Sequence, residues 1–106
     1  MSDYSKIIQS HDHVIETYEL VKEWEVWIRH NHIGSQAITI RILLGNDGKY
    51  HYRTSHYYHG TGQAGPYVSS DSYAPTIESA INKALRQLFS FYNQEDEGAI
   101  WVKAEF

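Results

Sequence analysis

The sequence predicts an α+β domain: an antiparallel sheet of three to four strands with helices packed on one face, in the order α-β-β-β-α-β. Three observations lead there. Residues 76 to 92 repeat apolar side chains at helical spacing, residues 24 to 58 alternate with the period of strands, and Gly45-Asn46-Asp47-Gly48 cuts that alternation with a tight-turn signal.

The helical block places Ile77, Ala80, Ile81, Ala84, Leu85, Leu88, Phe89 and Tyr92 on one face, with Glu78, Ser79, Asn82, Lys83, Arg86 and Gln87 on the other. Pro75 blocks helix before it, Thr76 is the expected cap, and Asn93 the expected stop. On this reading Leu85 belongs to the core.

The strand block begins at Trp24, where Trp24, Val26 and Ile28 alternate with Glu25, Trp27 and Arg29 up to His32. Ile33-Gly34-Ser35 connects this arm to Ile38, Ile40, Ile42 and Leu44, which alternate with Thr39 and Arg41. After the Gly45 to Gly48 turn a third arm runs from Lys49 to Tyr58. It places Tyr50, Tyr52, Thr54 and Tyr58 on one face and Lys49, His51, Arg53 and Tyr57 on the other.

Two end segments complete the outline. Residues 3 to 21 fit a helical stripe of Ile7, Ile8, His11, Val14, Ile15, Tyr18 and Val21, while Tyr18, Leu20 and Trp24 also fit a strand; helix is the expectation. Ile100, Val102, Ala104 and Phe106 alternate as a short edge strand, which offers a homodimer contact through Ile100, Trp101 and Val102.

A chain of 106 residues holds one such domain, and 14% aromatic residues exclude a disordered chain. With no cysteine, disulfide frameworks, thiolate zinc sites and thiol nucleophiles are excluded. Met1-Ser2-Asp3-Tyr4 shows no basic region followed by an apolar run, so a cytoplasmic location is the expectation. The net charge of −4 is unevenly spread: between residues 29 and 59, Arg29, Arg41, Lys49 and Arg53 face only Asp47, beside five histidines. An anionic group would bind in that middle third.

The order helix, three strands, helix resembles that of the double-stranded-RNA-binding domain. In that family lysines at the start of the second helix grip phosphates. Here Thr76-Ile77-Glu78-Ser79-Ala80 holds none before Lys83, and the resemblance stops at topology. As a short acidic α+β chain without enzyme motifs, the protein is also similar to the small inhibitors that phages and mobile elements encode against bacterial defence, such as anti-CRISPR proteins.

The candidate site is the outer sheet face, with Trp27, Arg29, Thr39, Arg41, Lys49, His51, Arg53 and Tyr57, joined by Tyr67 and Tyr73 from the long Tyr/Ser-rich loop before the helix. Such a mix of aromatic faces and cations suits stacking on bases, clamping phosphates or docking onto an acidic protein surface. An ordinary polar face, with Glu23 and Glu25 paired to the arginines, is the simpler account.

Seven histidines, with His11/His13 and His30/His32 at H-x-H spacing, raise a metal enzyme as another reading, completed by His51, His56, His59 or a carboxylate. Neither G-x-S-x-G nor H-E-x-x-H occurs, and Gly60-Thr61-Gly62 lacks the ending of a phosphate loop. The expectation is a non-enzymatic, cofactor-free binding module, an inhibitor or regulator acting on a protein. A small-ligand, nucleotide or nucleic-acid binder using the Arg/His face is the alternative, and a histidine-based metal enzyme the second.

Overall fold

A computed structural model describes residues 2–106. Its elements are α1 (Asp3–Gln9), β1 (Tyr18–His30), β2 (Gly34–Gly45), β3 (Tyr50–Thr54), β4 (His56–His59), β5 (Tyr73–Ala74), α2 (Ile77–Phe89) and β6 (Ile100–Lys103). The α+β class holds. A four-stranded antiparallel sheet runs β1-β2-β3-β5, and a separate two-stranded ribbon pairs β4 with β6.

The long β1–β2 hairpin sets the shape. Thirteen residues at about 3.4 Å each extend some 44 Å, and the molecule measures 50 × 24 × 21 Å. Gly34, at φ +90°, supplies the left-handed residue that closes its three-residue turn.

Residues 3 to 21 do not form one helix. α1 ends at Gln9, where Ser10 turns its hydroxyl back to the Ile7 carbonyl (2.8 Å), and the chain is extended again by Tyr18. Tyr4, Ile7 and Ile8 stay exposed, so α2 alone supplies the helical cover of the sheet. No helix of the described chain is long and apolar enough to cross a membrane.

The third arm also divides. Ser55 is the corner: its N–H donates to the Thr39 carbonyl (3.0 Å), its hydroxyl accepts from the Thr39 N–H (2.8 Å), and its own carbonyl accepts from Ala104 (2.9 Å). One residue thus bonds the main sheet on one side and the ribbon on the other. The C-terminal strand joins β4 instead of the main sheet, whose fourth strand is the short β5.

The core fills the angle between sheet and helix. Ile28, Ile38, Ile40, Ile42 and Tyr52 meet Ala74, Ala80, Ala84 and Leu88. The buried face of α2 is rotated from the predicted one: Leu85, Ile77 and Phe89 are partly exposed, while Gln87 is buried. Small Ala80 and Ala84 let the helix lie close to the isoleucine face, and Gln87 is satisfied by donating to Thr54 Oγ1 (2.9 Å) and accepting from Ser69 N–H (3.0 Å).

Beside this core, His30 packs against Tyr58 and Tyr92, and Trp101 packs on both of those rings. His30 Nδ1 accepts from the His32 and Ile33 amides (3.1 and 3.2 Å), which leaves Nε2 to donate to the Asn93 carbonyl (2.8 Å). The same carbonyl accepts from the Tyr58 hydroxyl at 3.1 Å. The segment after α2 is fastened to the end of β1 in this way.

Candidate functional site

Directly opposed residues in an antiparallel pair share a face, so the register assigns the outer surface row by row. Trp27 lies opposite Ala37, Glu25 opposite Thr39, and Arg29 opposite Ser35. Next comes Glu23–Arg41–Arg53, then Leu20–Leu43–His51–Tyr73, and at the far end Tyr18 opposite Gly45. A bulge between Leu20 and Lys22 shifts the parity of β1 and brings Tyr18 and Leu20 onto this face.

Trp27 stands out because its cross-strand neighbour is only a methyl group, and it is 66% exposed. Toward the other end, Tyr18 packs edge-on against His51 with ring centroids 4.9 Å apart, and Tyr73 lies 5.9 Å from the same imidazole. Lys49 places its ammonium 4.3 Å from the Tyr73 ring centre, and Arg53 its guanidinium 5.3 Å from that of Tyr18.

His51 is fixed by Asp47, whose Oδ2 lies 2.9 Å from Nε2. A side chain at Gly45 would collide with both, since a Cβ there would sit 2.5 Å from Asp47 Oδ1 and 2.9 Å from His51 Nε2. The Lys49 N–H, donating to Asp47 at 2.9 Å, is the main cause holding that carboxyl below the usual carboxylate range.

The two central arginines differ. Arg41 pairs with Glu23 and lies 3.8 Å from the centre of the Phe106 ring. Arg53 faces Arg41 across the strands and forms no ion pair among the described residues. Like charges directly opposed cost stability in a sheet.

Of the sequence-selected residues, the structure brings Trp27, Arg29, Thr39, Arg41, His51, Arg53 and Tyr73 onto this face, with Lys49 against Tyr73 at its rim. It separates two. Tyr57 lies in the ribbon, opposite Val102, because of the corner at Ser55. Tyr67 packs on Phe91 beyond the end of α2, with ring centroids 5.0 Å apart.

Sequence reasoning missed Tyr18, Leu20, Leu43 and Phe106. The bulge that turns the first two leaves no mark in the apolar alternation. The third was visible as the alternate of Leu44, and the fourth depends on the tail crossing to Arg41.

The loop between β4 and β5 is tied down: the Tyr67 amide bonds the Tyr58 carbonyl (3.1 Å), the Tyr52 amide the Ser72 carbonyl (2.8 Å), and the Tyr52 hydroxyl the Asp71 carbonyl (2.7 Å). The histidines are spread out. His56 bonds Ser55 Oγ (2.8 Å), His59 the Gln63 carbonyl (3.0 Å), and His11 the His13 amide (3.2 Å). Among the described residues no group of three or more potential ligands converges on a metal position.

The cavities of the molecule, including one of about 590 Å³ on α2 and one of about 540 Å³ at the Gly-rich loop, are lined by residues other than those of the outer face. No family model matches this chain, and neither the curated proteins nor the solved structures contain a significant match.

Proposed function

We propose that the protein is a non-enzymatic binding module that docks a protein partner on the outer face of its sheet. Arg53 is the observation that carries this reading: it stands opposite another arginine and forms no ion pair among the described residues, an arrangement that folding alone disfavours. A carboxylate on the partner completes it. Tyr18, Leu20 and Tyr73 lie around that cation, and Trp27 stands further along β1 on the same face, giving the aromatic and apolar surface in which binding energy concentrates.

The cavities described above lie away from this face, which favours a macromolecule over a small ligand, since the latter prefers a concave site. Glu23, Glu25 and Asp47 lie on or beside the same face among its cations, a mixed-sign surface that suits a protein better than a uniformly charged phosphate backbone. A small regulator or inhibitor of another protein fits this chemistry.

The test is affinity capture from the source cells with the wild-type protein, Trp27→Ala, Arg53→Glu and, as a control on another surface, Arg86→Gln. A partner retained by wild type and Arg86→Gln but lost by both face variants is the expected outcome. A partner held equally by all four proteins would remove this face from consideration.

A further inference from the structure

On the opposite side of the domain, a polar cavity of about 230 Å³ opens between α2 and the loop before β5. It is lined by Tyr52, Tyr67, Ser69, Ser70, Asp71, Lys83, Arg86 and Ser90. At about 30 Å³ per water it has room for roughly seven waters, enough for a tetrahedral anion with part of its hydration.

The charge placement is unexpected for this half of the chain. From residue 60 onward the only basic residues are Lys83, Arg86 and Lys103, against six acidic ones. Two of those three cations line this one cavity.

Several donors there are free. Lys83 gives one proton to Asp71 Oδ2 and one to the Tyr73 carbonyl, both at 2.9 Å, and keeps a third. The guanidinium of Arg86 makes no hydrogen bond or ion pair among the described residues, and the hydroxyls of Tyr67, Ser69 and Ser70 are likewise uncommitted. Ser90 is occupied, donating to the Arg86 carbonyl at 2.5 Å.

Asp71 brings one negative charge to the wall, and Lys83 offsets it, so Arg86 is the surplus. The site is also held in shape: Gln87 fixes the Ser69 amide, Tyr52 the Asp71 carbonyl, and Lys83 the Asp71 carboxylate. The backbone that carries Ser69, Ser70 and Asp71 is thereby fixed beside α2.

A simpler role for Arg86, in the last turn of α2, is to complement the negative end of the helix dipole. That role explains neither the three free hydroxyls around the same space nor the proton that Lys83 keeps after serving Asp71 and the Tyr73 carbonyl. We infer that this cavity binds the phosphoryl group of a phosphate monoester, with Arg86 and Lys83 as its cationic contacts and the Ser69–Ser70 hydroxyls as neutral donors. Arg86 and Ser90 also border the shallow depression of Leu85 and Phe89, which would receive the organic part of such a ligand.

The test is titration of ¹⁵N-labelled protein with inorganic phosphate and, separately, adenosine monophosphate at constant ionic strength. Saturable shifts of the Ser69, Ser70 and Asp71 amides and of Arg86 Nε in the millimolar range are expected, and Arg86→Gln should weaken them by about tenfold or more without changing Tm. Equal affinity for the two probes would support a site for the free anion, and tighter adenosine monophosphate a site that also uses the Leu85/Phe89 depression. Absence of saturable shifts up to about 20 mM, or saturation indifferent to Arg86→Gln, would overturn the inference.

Discussion

Replacing Leu88 with alanine removes three carbons from a side chain with no solvent exposure, packed in the main core cluster. At about 0.8 kcal/mol per buried carbon the transfer loss is about 2.4 kcal/mol. The void adds about 24 cal/mol for each Å³ that the neighbours fail to fill, giving a total of about 3–4 kcal/mol. Leu85, one turn back, was the predicted core residue, yet it is 38% exposed and borders open depressions. Its truncation loses about three-fifths of the transfer contribution and leaves no closed cavity, so about 1.5 kcal/mol is expected. Urea unfolding followed by tryptophan fluorescence measures both, with an unchanged denaturant slope as the check on two-state behaviour. A Leu85→Ala cost equal to or above that of Leu88→Ala would refute the rotation of α2 described above.

Gln87→Met removes the bridge from α2 to Thr54 and Ser69, and should cost about 1–3 kcal/mol, with faster hydrogen exchange at the Ser69 amide as its local signature. Acid should destabilise the fold in two windows. Burial, with the Lys103 charge adding, pushes His56 below its ordinary value of 6.5, so the unfolded chain takes up that proton first and stability declines as pH falls below about 6.5. Glu19, Asp47 and Asp96 sit below the usual carboxylate range, mainly through hydrogen bonds from the Ser2 amide, the Lys49 amide and the Thr61 hydroxyl respectively. Their stabilisation is complete above the unfolded values near 4 and is lost as pH falls through the lower folded ones. Melting curves from pH 8 to pH 2 check this, and a Tm constant down to pH 3 would contradict it.

The class of the fold was legible because its strongest signals are local. Pro75, the Thr76 cap and the 3/4 repeat define α2, and Gly45 to Gly48 define the second hairpin turn. What escaped depends on partners distant in sequence. Nothing near Ser55 announces a corner, since the residue acts through Thr39 and Ala104, and periodicity alone carried the third arm on to Tyr58. Residues 3 to 21 kept helical spacing by coincidence, while pairing from Tyr18 to Leu20 with Leu43 to Gly45 decided the outcome in favour of strand. Most of the candidate face followed from alternation alone, and Tyr57 and Tyr67 failed to join it for reasons that alternation cannot express.

Arg53 offers a way to separate folding from function, because the two make opposite demands on it. Exchanging it for glutamate ends the like-charge opposition with Arg41 and creates an attractive pair, worth about 0.2–1 kcal/mol in a sheet. Against that stands the loss of its contact with the Tyr18 ring, about 0.5 kcal/mol at an exposed site. The balance predicts an Arg53→Glu protein that melts no lower than the parent and yet fails to capture the partner. Changing Arg41 as well would confuse the result, since Arg41 is already committed to Glu23 and Phe106. A residue whose removal improves or spares the fold while abolishing binding is held there for the partner. A Tm lowered by more than about 4 °C, equivalent to about 1 kcal/mol, would instead show that Arg53 supports the sheet, and the case for this face would lose its central observation.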